Sequence, residues 1–218
     1  MKVNISPFVS DSCPELRAGI IHANVVNTPT SDELWEELQT EASRIAANYA
    51  TDTLSKRPAI AATRKAYKTF GKDPARYRVS SEALCRRAIR GLDLYRINTL
   101  VDLINVVSMH SGYSIGGFDA DRIDGDMTLG VGTADDIFHG IGRGLLNIEG
   151  MPVYRDNVGG VGTPTSDEER TKITMETTRL LITINAYGSE MPLEECVEWT
   201  IELLKKYAQA TEIESYII

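Results

Sequence analysis

Apolar residues recur at helical spacing through much of the first half of the chain. From Pro58 the pattern predicts a helix that stops at Gly71, because proline suits the first turn of a helix and glycine suits its end. A second helix is predicted to begin at Ser80 or Ser81, either of which would cap it, and to end at Gly91. A third helix is predicted over residues 98–112. It is apolar on most sides, which indicates a central position.

Strand-like patterns flank these helices. Residues 3–27 alternate as strands do, and a capping box formed by Thr30 and Glu33 then predicts a helix to about Ala50. Thirteen of the 17 glycines fall within residues 112–162, between short β-like runs such as 127–131 and 151–154. The pattern further predicts a strand over 179–186 and a final helix over 192–208. The expected fold class is α+β, with one helix-rich half and one β-rich half.

The 218-residue chain is acidic as a whole, with a formal net charge of −8, which argues against a nucleic-acid partner. However, residues 56–96 hold 12 of the 23 basic residues and only three acidic ones, which gives this segment +9 and the rest −17. Exposed charges are screened beyond about 8 Å at physiological salt, so distant acids would not cancel a basic face. Candidate RNA contacts on the two predicted helices are Arg64, Lys65, Lys68, Lys72, Arg86, Arg87 and Arg90. The alternative is that the basic sides of both helices are simply exposed to solvent and bind no RNA.

Familiar catalytic and cofactor signatures are absent from the sequence. The three cysteines have no paired spacing, and the three histidines stand in unrelated contexts. The glycine-rich runs lack the residues of a nucleotide-binding loop, and the aspartates of residues 119–126 fit a turn better than a calcium loop. No apolar window approaches 18 residues, and the first residues do not form a signal peptide. We expect a cytoplasmic protein without membrane association, cofactor or metal.

Two consecutive motifs carry a family resemblance. Residues 96–105 (RINTLVDLIN) are followed by residues 114–123 (SIGGFDADRI). Together they resemble the B3/B4 domain, the tRNA-binding and editing module of the bacterial phenylalanyl-tRNA synthetase β subunit. Further similar motifs begin at Tyr67, Ser80, Val153 and Asp167, so the resemblance covers about residues 58–190.

The resemblance implies a layered β/α fold, with a β-sandwich-like core flanked by helices and enclosing a pocket. It implies a B3/B4-like tRNA-binding and editing domain over residues 56–190. Residues 1–55 would then be N-terminal strands and a helix packed on that domain, and residues 191–218 would be a C-terminal helix and tail of the same compact unit. The chain resembles a free-standing member of the family, because no synthetase catalytic motifs accompany the match. It is therefore not a complete aminoacyl-tRNA ligase.

The pocket residues implied by the resemblance have alternative structural roles. Asn98, Asp102 and Asn105 either line the pocket or cap and solvate their helix. Asp119 and Asp156 are expected to fix loops by accepting backbone N–H bonds, with direct contact to the substrate as the alternative. The remaining candidates are Gly116, Gly117, Phe118, Arg170, Thr171, Lys172 and Thr174. Of these, Arg170 either meets the tRNA terminus or forms a structural salt bridge.

Two positions depart from the family pattern. Gly116 stands where the synthetase domain usually has histidine, and Thr183 and Asn185 stand near the position of a synthetase glutamate. The resemblance implies hydrolysis of the aminoacyl ester of a mischarged tRNA, by a positioned water and backbone N–H groups rather than a side-chain nucleophile. The alternatives are a non-catalytic tRNA- or RNA-binding module and a pocket for a free amino acid. The implied partner is tRNA or aminoacyl-tRNA, and residues 1–55 could also form a surface for a homo-oligomer.

Overall fold

Two four-stranded sheets lie face to face in the computed structural model, which describes residues 1–218. The first sheet has the strand order β1-β4-β7-β8, and the second has the order β10-β2-β9-β3. A separate two-stranded ribbon is formed by β5 and β6. The strands are β1 (Val3–Ile5), β2 (Arg17–Asn24), β3 (Ser114–Asp119), β4 (Met127–Val131), β5 (His139–Gly140), β6 (Gly144–Leu145), β7 (Pro152–Arg155), β8 (Gly160–Gly162), β9 (Arg179–Ala186) and β10 (Thr211–Ile217).

The second sheet is buried on both faces, because successive side chains of a strand point to opposite sides. In β9, Leu181 belongs to the core between the two sheets, while Ile182 belongs to the core under the helices. The neighbouring strand β2 divides in the same way, with Ile20 on the inter-sheet side and Ile21 on the helix side. The near-continuous apolar sequence of β9 follows from this double burial.

Six helices complete the fold: α1 (Pro7–Ser12), α2 (Asp32–Asn48), α3 (Pro58–Thr69), α4 (Ser80–Ile89), α5 (Thr99–Ser111) and α6 (Leu193–Ala208). The central position predicted for residues 98–112 is confirmed, since most side chains of α5 are buried against α2, α4 and α6. Asn98 caps its N-terminus by accepting the Val101 N–H at 3.0 Å. Gly112 ends it with a φ of +75°, which glycine adopts without steric cost.

The predicted α+β class and layered architecture are confirmed: a β-sandwich carries helices on the outer face of one of its sheets. The N-terminal residues complete both sheets, since β1 pairs in parallel with β4 and β2 pairs antiparallel with β9. No helix combines the length and apolar character needed to cross a membrane.

Three local predictions were wrong. Residues 7–12, expected to be part of a strand region, form the short helix α1. The cap of α2 is Ser31, whose hydroxyl accepts the Leu34 N–H, and Thr30 instead turns inward toward Asp102. The helix α4 has Val79 at its N-cap and no side-chain capping bond, so neither Ser80 nor Ser81 caps it.

Candidate functional site

A cavity of about 150 Å³ lies between β3, α4 and α5. It is bounded by apolar side chains from the two helices and from β3, with a small number of polar groups among them. Gly117 of β3 also lines the cavity, and the ends of two other lining side chains pack directly on it, since a Cβ atom there would lie 2.5 Å from Ile104 Cδ1 and 3.0 Å from Ile173 Cδ1. The polar residues that line it are Ser80, Asn105, Ser108 and Asp167.

Asp167 is the titratable group of this cavity. Its backbone is fixed by a β-bridge to Gly162 and by its carbonyl, which accepts the Ile141 N–H at 3.1 Å. Burial raises the pKa of its carboxyl to about 7, although the backbone N–H of Gly117 acts in the opposite direction. The carboxyl can therefore exchange a proton near neutral pH.

The other polar groups of the cavity differ in their freedom to bind a substrate. The Ser108 hydroxyl donates to the Tyr113 carbonyl at 2.8 Å, and the Ser80 N–H donates to the Pro164 carbonyl at 2.8 Å. Asn105 is half-buried on the wall formed by α5 and offers an amide to a ligand. A carboxyl with a pKa near 7 and an amide that line the same cavity can activate a water and orient an ester. No group of three or more His, Cys, Asp or Glu side chains is arranged to hold a metal ion.

Among the predicted pocket residues, Asn105 and Gly117 line this cavity. Asn98 has the capping role that was its alternative. Asp102 is buried and accepts hydrogen bonds from Thr30 Oγ1 at 2.5 Å and from the Ile97 N–H at 3.0 Å. Burial raises its pKa, against the lowering effect of these two donors. Asp102 thus ties α5 to the segment that precedes α2, and it is not part of the cavity wall.

Gly116 and Phe118 face away from the cavity, into the space between the sheets. A Cβ atom on Gly116 would lie 2.5 Å from Phe118 Cζ and 2.9 Å from Thr183 Oγ1. On the opposite sheet, a Cβ atom on Gly162 would lie 2.6 Å from the same Phe118 Cζ. The Phe118 ring therefore occupies the space that side chains at both glycines would need. Gly116 is also the direct cross-strand partner of Thr183, so two positions that depart from the family pattern are neighbours.

The polar groups near this pair bond to one another. The Tyr154 hydroxyl donates to Asn185 Oδ1 at 2.7 Å, and Asn185 Nδ2 donates to the Ser114 carbonyl at 3.1 Å. The Thr183 hydroxyl is buried and has no hydrogen-bond partner. This part of the sandwich is a closed interior in which polar side chains serve packing and pairing.

Asp119 and Asp156 hold loops, as the sequence predicted. Asp119 accepts the Asp121 N–H at 3.1 Å and the Thr177 hydroxyl at 3.0 Å. Asp156 accepts backbone N–H groups of its own loop and of Asp124, and it forms a two-pronged ion pair with Arg170, both contacts at 2.9 Å. Burial alone would raise the pKa of Asp156, but Arg170 and the N–H donors together lower it below its usual range.

The last three predicted pocket residues follow Arg170 in the chain and also have structural contacts. Thr171 is buried, and its hydroxyl lies 3.5 Å from the Val161 carbonyl. Lys172 pairs with Glu169 and forms a β-bridge to Phe118. Thr174 accepts the Glu176 N–H, and its carbonyl accepts the amide of Asn27 at 2.9 Å. None of the three lines the cavity.

The predicted basic face is only partly free. Glu82 of α4 is fully buried and lies within 2.8 Å of both Arg64 and Arg86, with Arg78 at 3.8 Å. Lys72 was expected to face solvent, and this expectation is corrected: it is 8% exposed and donates to the carbonyls of Asn147 and Glu149. The helix α3 ends at Thr69, so Lys72 lies in the following turn and not on the helical stripe.

The other cations of the predicted face are more accessible. Lys65, Lys68 and Arg90 are exposed. Arg87 is half-buried, donates to the Asp93 carbonyl and lies 4.5 Å from the ring centre of Tyr95, which is 68% exposed. The surface therefore combines free cations with one exposed aromatic ring.

Asp167 was not among the predicted site residues, although it stands in one of the motifs that carry the family resemblance. An aspartate between a glycine-rich stretch and charged residues looks like an ordinary loop acid. Its position becomes significant only when β3 and α5 enclose it, and these elements lie about 50 residues or more before it in the chain. The only hint in the sequence was that β3 and α5 are both apolar, which indicates that they pack in the interior and can bury a neighbouring residue.

Comparisons with known proteins place the chain in a family. The model of the B3/4 domain matches residues 62–191, which is more than half of the chain. The fold is similar to a crystal structure of an N-terminal fragment of the phenylalanyl-tRNA synthetase β subunit from Pyrococcus horikoshii, with a TM-score of 0.49 and 14% identity over 97% of this chain. The chain spans about half the length of that fragment (50%). No curated protein matches the sequence. On the match to the family model, the chain belongs to the B3/4 domain family.

Proposed function

We propose that this protein binds tRNA and hydrolyses the aminoacyl ester of a mischarged tRNA, with Asp167 as the general base. The observation that carries the proposal is a carboxyl with a pKa of about 7 on the wall of a cavity. Membership of the B3/4 domain family supports the RNA partner, since the motifs in residues 96–105 and 114–123 resemble those of a tRNA-binding and editing module.

In the proposed reaction the carboxylate of Asp167 takes a proton from a water, and the water oxygen attacks the ester carbonyl carbon. The tetrahedral intermediate collapses, the bond between the carbonyl carbon and the ribose oxygen breaks, and Asp167 returns the proton to that oxygen. General base catalysis of this kind contributes about 10²- to 10⁴-fold and works best when the pKa is near the operating pH. Asn105 lines the same cavity, and its amide would orient the aminoacyl group.

The exposed cations support an RNA contact. Lys65 and Lys68 on α3 and Arg90 after α4 are free of carboxylate partners and can neutralise phosphates. The exposed ring of Tyr95 next to Arg87 offers a surface on which an unpaired base can stack.

The test is a panel of tRNAs charged with each amino acid, in which loss of the ester is followed against a control without protein. We expect accelerated hydrolysis for at least one amino acid and a loss of about 100-fold or more with Asp167→Asn. The matched control is Asp135→Asn, because Asp135 is an exposed aspartate outside the cavity. A flat panel would contradict the hydrolytic part of the proposal.

A second candidate function is RNA binding without hydrolysis. It is favoured by the position of Gly116 and Thr183, where the family pattern has larger ionisable groups and the Phe118 ring leaves no open space. A plot of log affinity against log salt concentration should then fall linearly, with a slope of about −0.7 to −0.9 for each phosphate that the protein neutralises. Lys68→Met should reduce this slope by the share of about one phosphate, whereas Lys56→Met, also at an exposed lysine, tests whether any surface cation has this effect. An unchanged slope with Lys68→Met would count against the basic surface.

A further inference from the structure

The cavity lined by Asp167 (the Asp167 cavity) has a buried inner end and a mouth that opens to solvent. Ile104, Ser108 and Gly117 are buried and form the inner end. The other lining residues, Asn105 and Asp167 among them, are half-buried and form the mouth. An aminoacyl group on the end of a large RNA therefore enters past these two polar side chains and reaches inward.

The apolar lining of the Asp167 cavity is aliphatic throughout. It consists of Leu84, Val101, Ile104, Ile115 and Ile173. No lysine, arginine or aromatic residue lines the cavity, so it offers no cation to an acidic side chain and no ring to an aromatic one. An aliphatic side chain is the group that this lining suits best.

The proposed reaction limits how much of this space a substrate side chain can use. A general base must lie within about 3 Å of the water that it activates, and the ester carbonyl must lie next to that water. The backbone N–H of Gly117 contacts the Asp167 carboxyl, so the water and the carbonyl are held close to the inner end. The water, the carbonyl and the side chain therefore share one space of about 150 Å³.

An aromatic side chain exceeds the space that the reaction leaves. A cavity of about 150 Å³ is filled by one molecule of the size of benzene, and a water takes about 30 Å³. A ring at the inner end would therefore displace the attacking water from Asp167. A side chain of one to three carbons leaves room for both the water and the carbonyl.

Two isoleucine side chains set the limit of the cavity beside Gly117. A Cβ atom on Gly117 would lie 2.5 Å from Ile104 Cδ1 and 3.0 Å from Ile173 Cδ1, so the ends of both side chains pack on the strand. Shortening either side chain removes atoms at the inner end and enlarges it. Ile173 is half-buried and lies outside the helices and strands, so it can be shortened with less disturbance of the fold.

We propose that the Asp167 cavity selects aminoacyl groups with an aliphatic side chain of one to three carbons, such as alanine and valine. Ile104 and Ile173 would be the residues that exclude an aromatic side chain. This inference rests on the proposed ester hydrolysis and names the class of substrate that the same site takes.

The first test compares the esters of alanine, valine, phenylalanine and tyrosine on one and the same tRNA, so that the RNA contact stays constant. The alanyl and valyl esters should be hydrolysed at least about 100-fold faster than the two aromatic esters, since a single methylene group changes such rates by about 10- to 200-fold. Equal rates for the valyl and phenylalanyl esters would overturn the selectivity and leave the hydrolysis standing.

A second measurement does not depend on hydrolysis and decides the matter if no ester is hydrolysed. A tRNA whose terminal ribose carries a 3′-amino group is acylated with valine or with phenylalanine, which gives a stable amide. The valyl amide should bind at least about tenfold more tightly than the phenylalanyl amide. If all esters are stable while this difference is observed, the proposed hydrolysis fails and the selectivity stands. If all esters are stable and both amides bind equally, the selectivity is wrong as well.

Variants of Ile173 locate the selectivity in the cavity. Ile173→Ala should raise the rate of the phenylalanyl ester relative to the valyl ester by at least about tenfold, and the milder Ile173→Val should raise it by a smaller factor. The matched control is Ile123→Ala, at a half-buried isoleucine outside the cavity, which should keep the ratio of the unaltered protein. A urea unfolding curve shows that each variant is folded. If the ratio is unchanged in both Ile173 variants, Ile173 does not limit the cavity and the assignment fails.

Discussion

Two neighbouring glycines of β3, Gly116 and Gly117, lie on opposite faces of the strand and have different surroundings. On the helix side, Gly117 contacts the movable ends of Ile104 and Ile173, and these residues together line a cavity with a titratable carboxyl. On the sandwich side, Gly116 leaves space that the Phe118 ring already fills. Because strand side chains alternate, one step along the chain separates an open site from a closed core.

This difference shows why the residues of one sequence motif cannot all be assigned to the same site. The segment SIGGFD carries the family resemblance, but only Ile115 and Gly117 of it reach the Asp167 cavity. The departure at Gly116 therefore changes the interior between the sheets. It does not directly alter the cavity in which we place the reaction.

Filling the open face should have the largest effect on activity. Gly117→Val would place a branched side chain against Ile104 and into the cavity. We expect ester hydrolysis to fall by about 100-fold or more, since small displacements of a bound substrate have effects of that size. The measurement is the rate of ester loss from the tRNA that the unaltered protein deacylates.

Gly130→Val is the matched control for this variant. Gly130 lies in β4, has an ordinary strand conformation, and its nearest neighbour to an added Cβ atom is Arg155 Nη1 at 3.4 Å. It should keep the activity of the unaltered protein. If Gly117→Val retained full activity while folded, the ester would have to bind elsewhere.

A larger residue at Gly116, on the closed face of β3, should lower the stability of the fold and not the activity directly. An added methyl group at Gly116 would meet three atoms within 3.0 Å, two of them on the enclosed ring of Phe118. We expect Gly116→Ala to lower the free energy of unfolding by about 1–3 kcal/mol, as overpacked cores do. Urea titration measures this, and Gly117→Ala is the comparison. Its methyl group meets the mobile end of Ile104 beside open space, so an equal loss in both variants would contradict the distinction between the faces.

The sequence predicted the elements whose pattern is self-contained. The helices α3, α4 and α5 begin and end close to the predicted residues, because the proline that begins α3, the asparagine that caps α5 and the glycine that follows each helix mark these ends locally. The strand β9 matches its predicted bounds of 179–186. In contrast, β10 was not predicted, since it is a largely polar strand at the edge of the sheet and its partner β2 lies almost 200 residues earlier.

The candidate site was predictable only in part. Asn105 and Gly117 were found through their motifs, whereas the pKa of Asp167 depends on burial by distant elements. Lys72 was misplaced for a related reason: its partners, the carbonyls of Asn147 and Glu149, are 75 and 77 residues away. Long-range burial of a charge leaves no periodic signal in the sequence.

The carboxyl of the open face should also make stability depend on pH. The pKa of Asp167 is about 7 in the folded chain, and that of an unperturbed aspartate is about 3.9. Between these values the folded state holds a proton that the unfolded state has lost. The contribution to stability is therefore fully present below about pH 4 and is lost as the pH rises through 7.

Asp167→Asn removes this dependence, because an amide does not titrate in this range. Relative to the unaltered protein, the variant should gain about 2–3 kcal/mol in the free energy of unfolding between pH 5 and pH 8. Urea titration at both pH values measures the gain, with Asp135→Asn as the control for an exposed aspartate. A constant difference between Asp167→Asn and the unaltered protein would mean that the carboxyl has an ordinary pKa.

The smallest effect is expected on the closed face, at Thr183. Its hydroxyl is buried without a partner, so Thr183→Val replaces an unsatisfied polar group by a methyl group of similar size. The free energy of unfolding should stay the same or rise by up to about 1 kcal/mol. Thr177→Val is the contrast, because the Thr177 hydroxyl donates to Asp119 and accepts the Thr174 N–H, and its loss should cost about 1–3 kcal/mol. If Thr183→Val were as costly as Thr177→Val, the Thr183 hydroxyl would have a partner in solution. The space between the sheets would then be a second polar site and not a closed core.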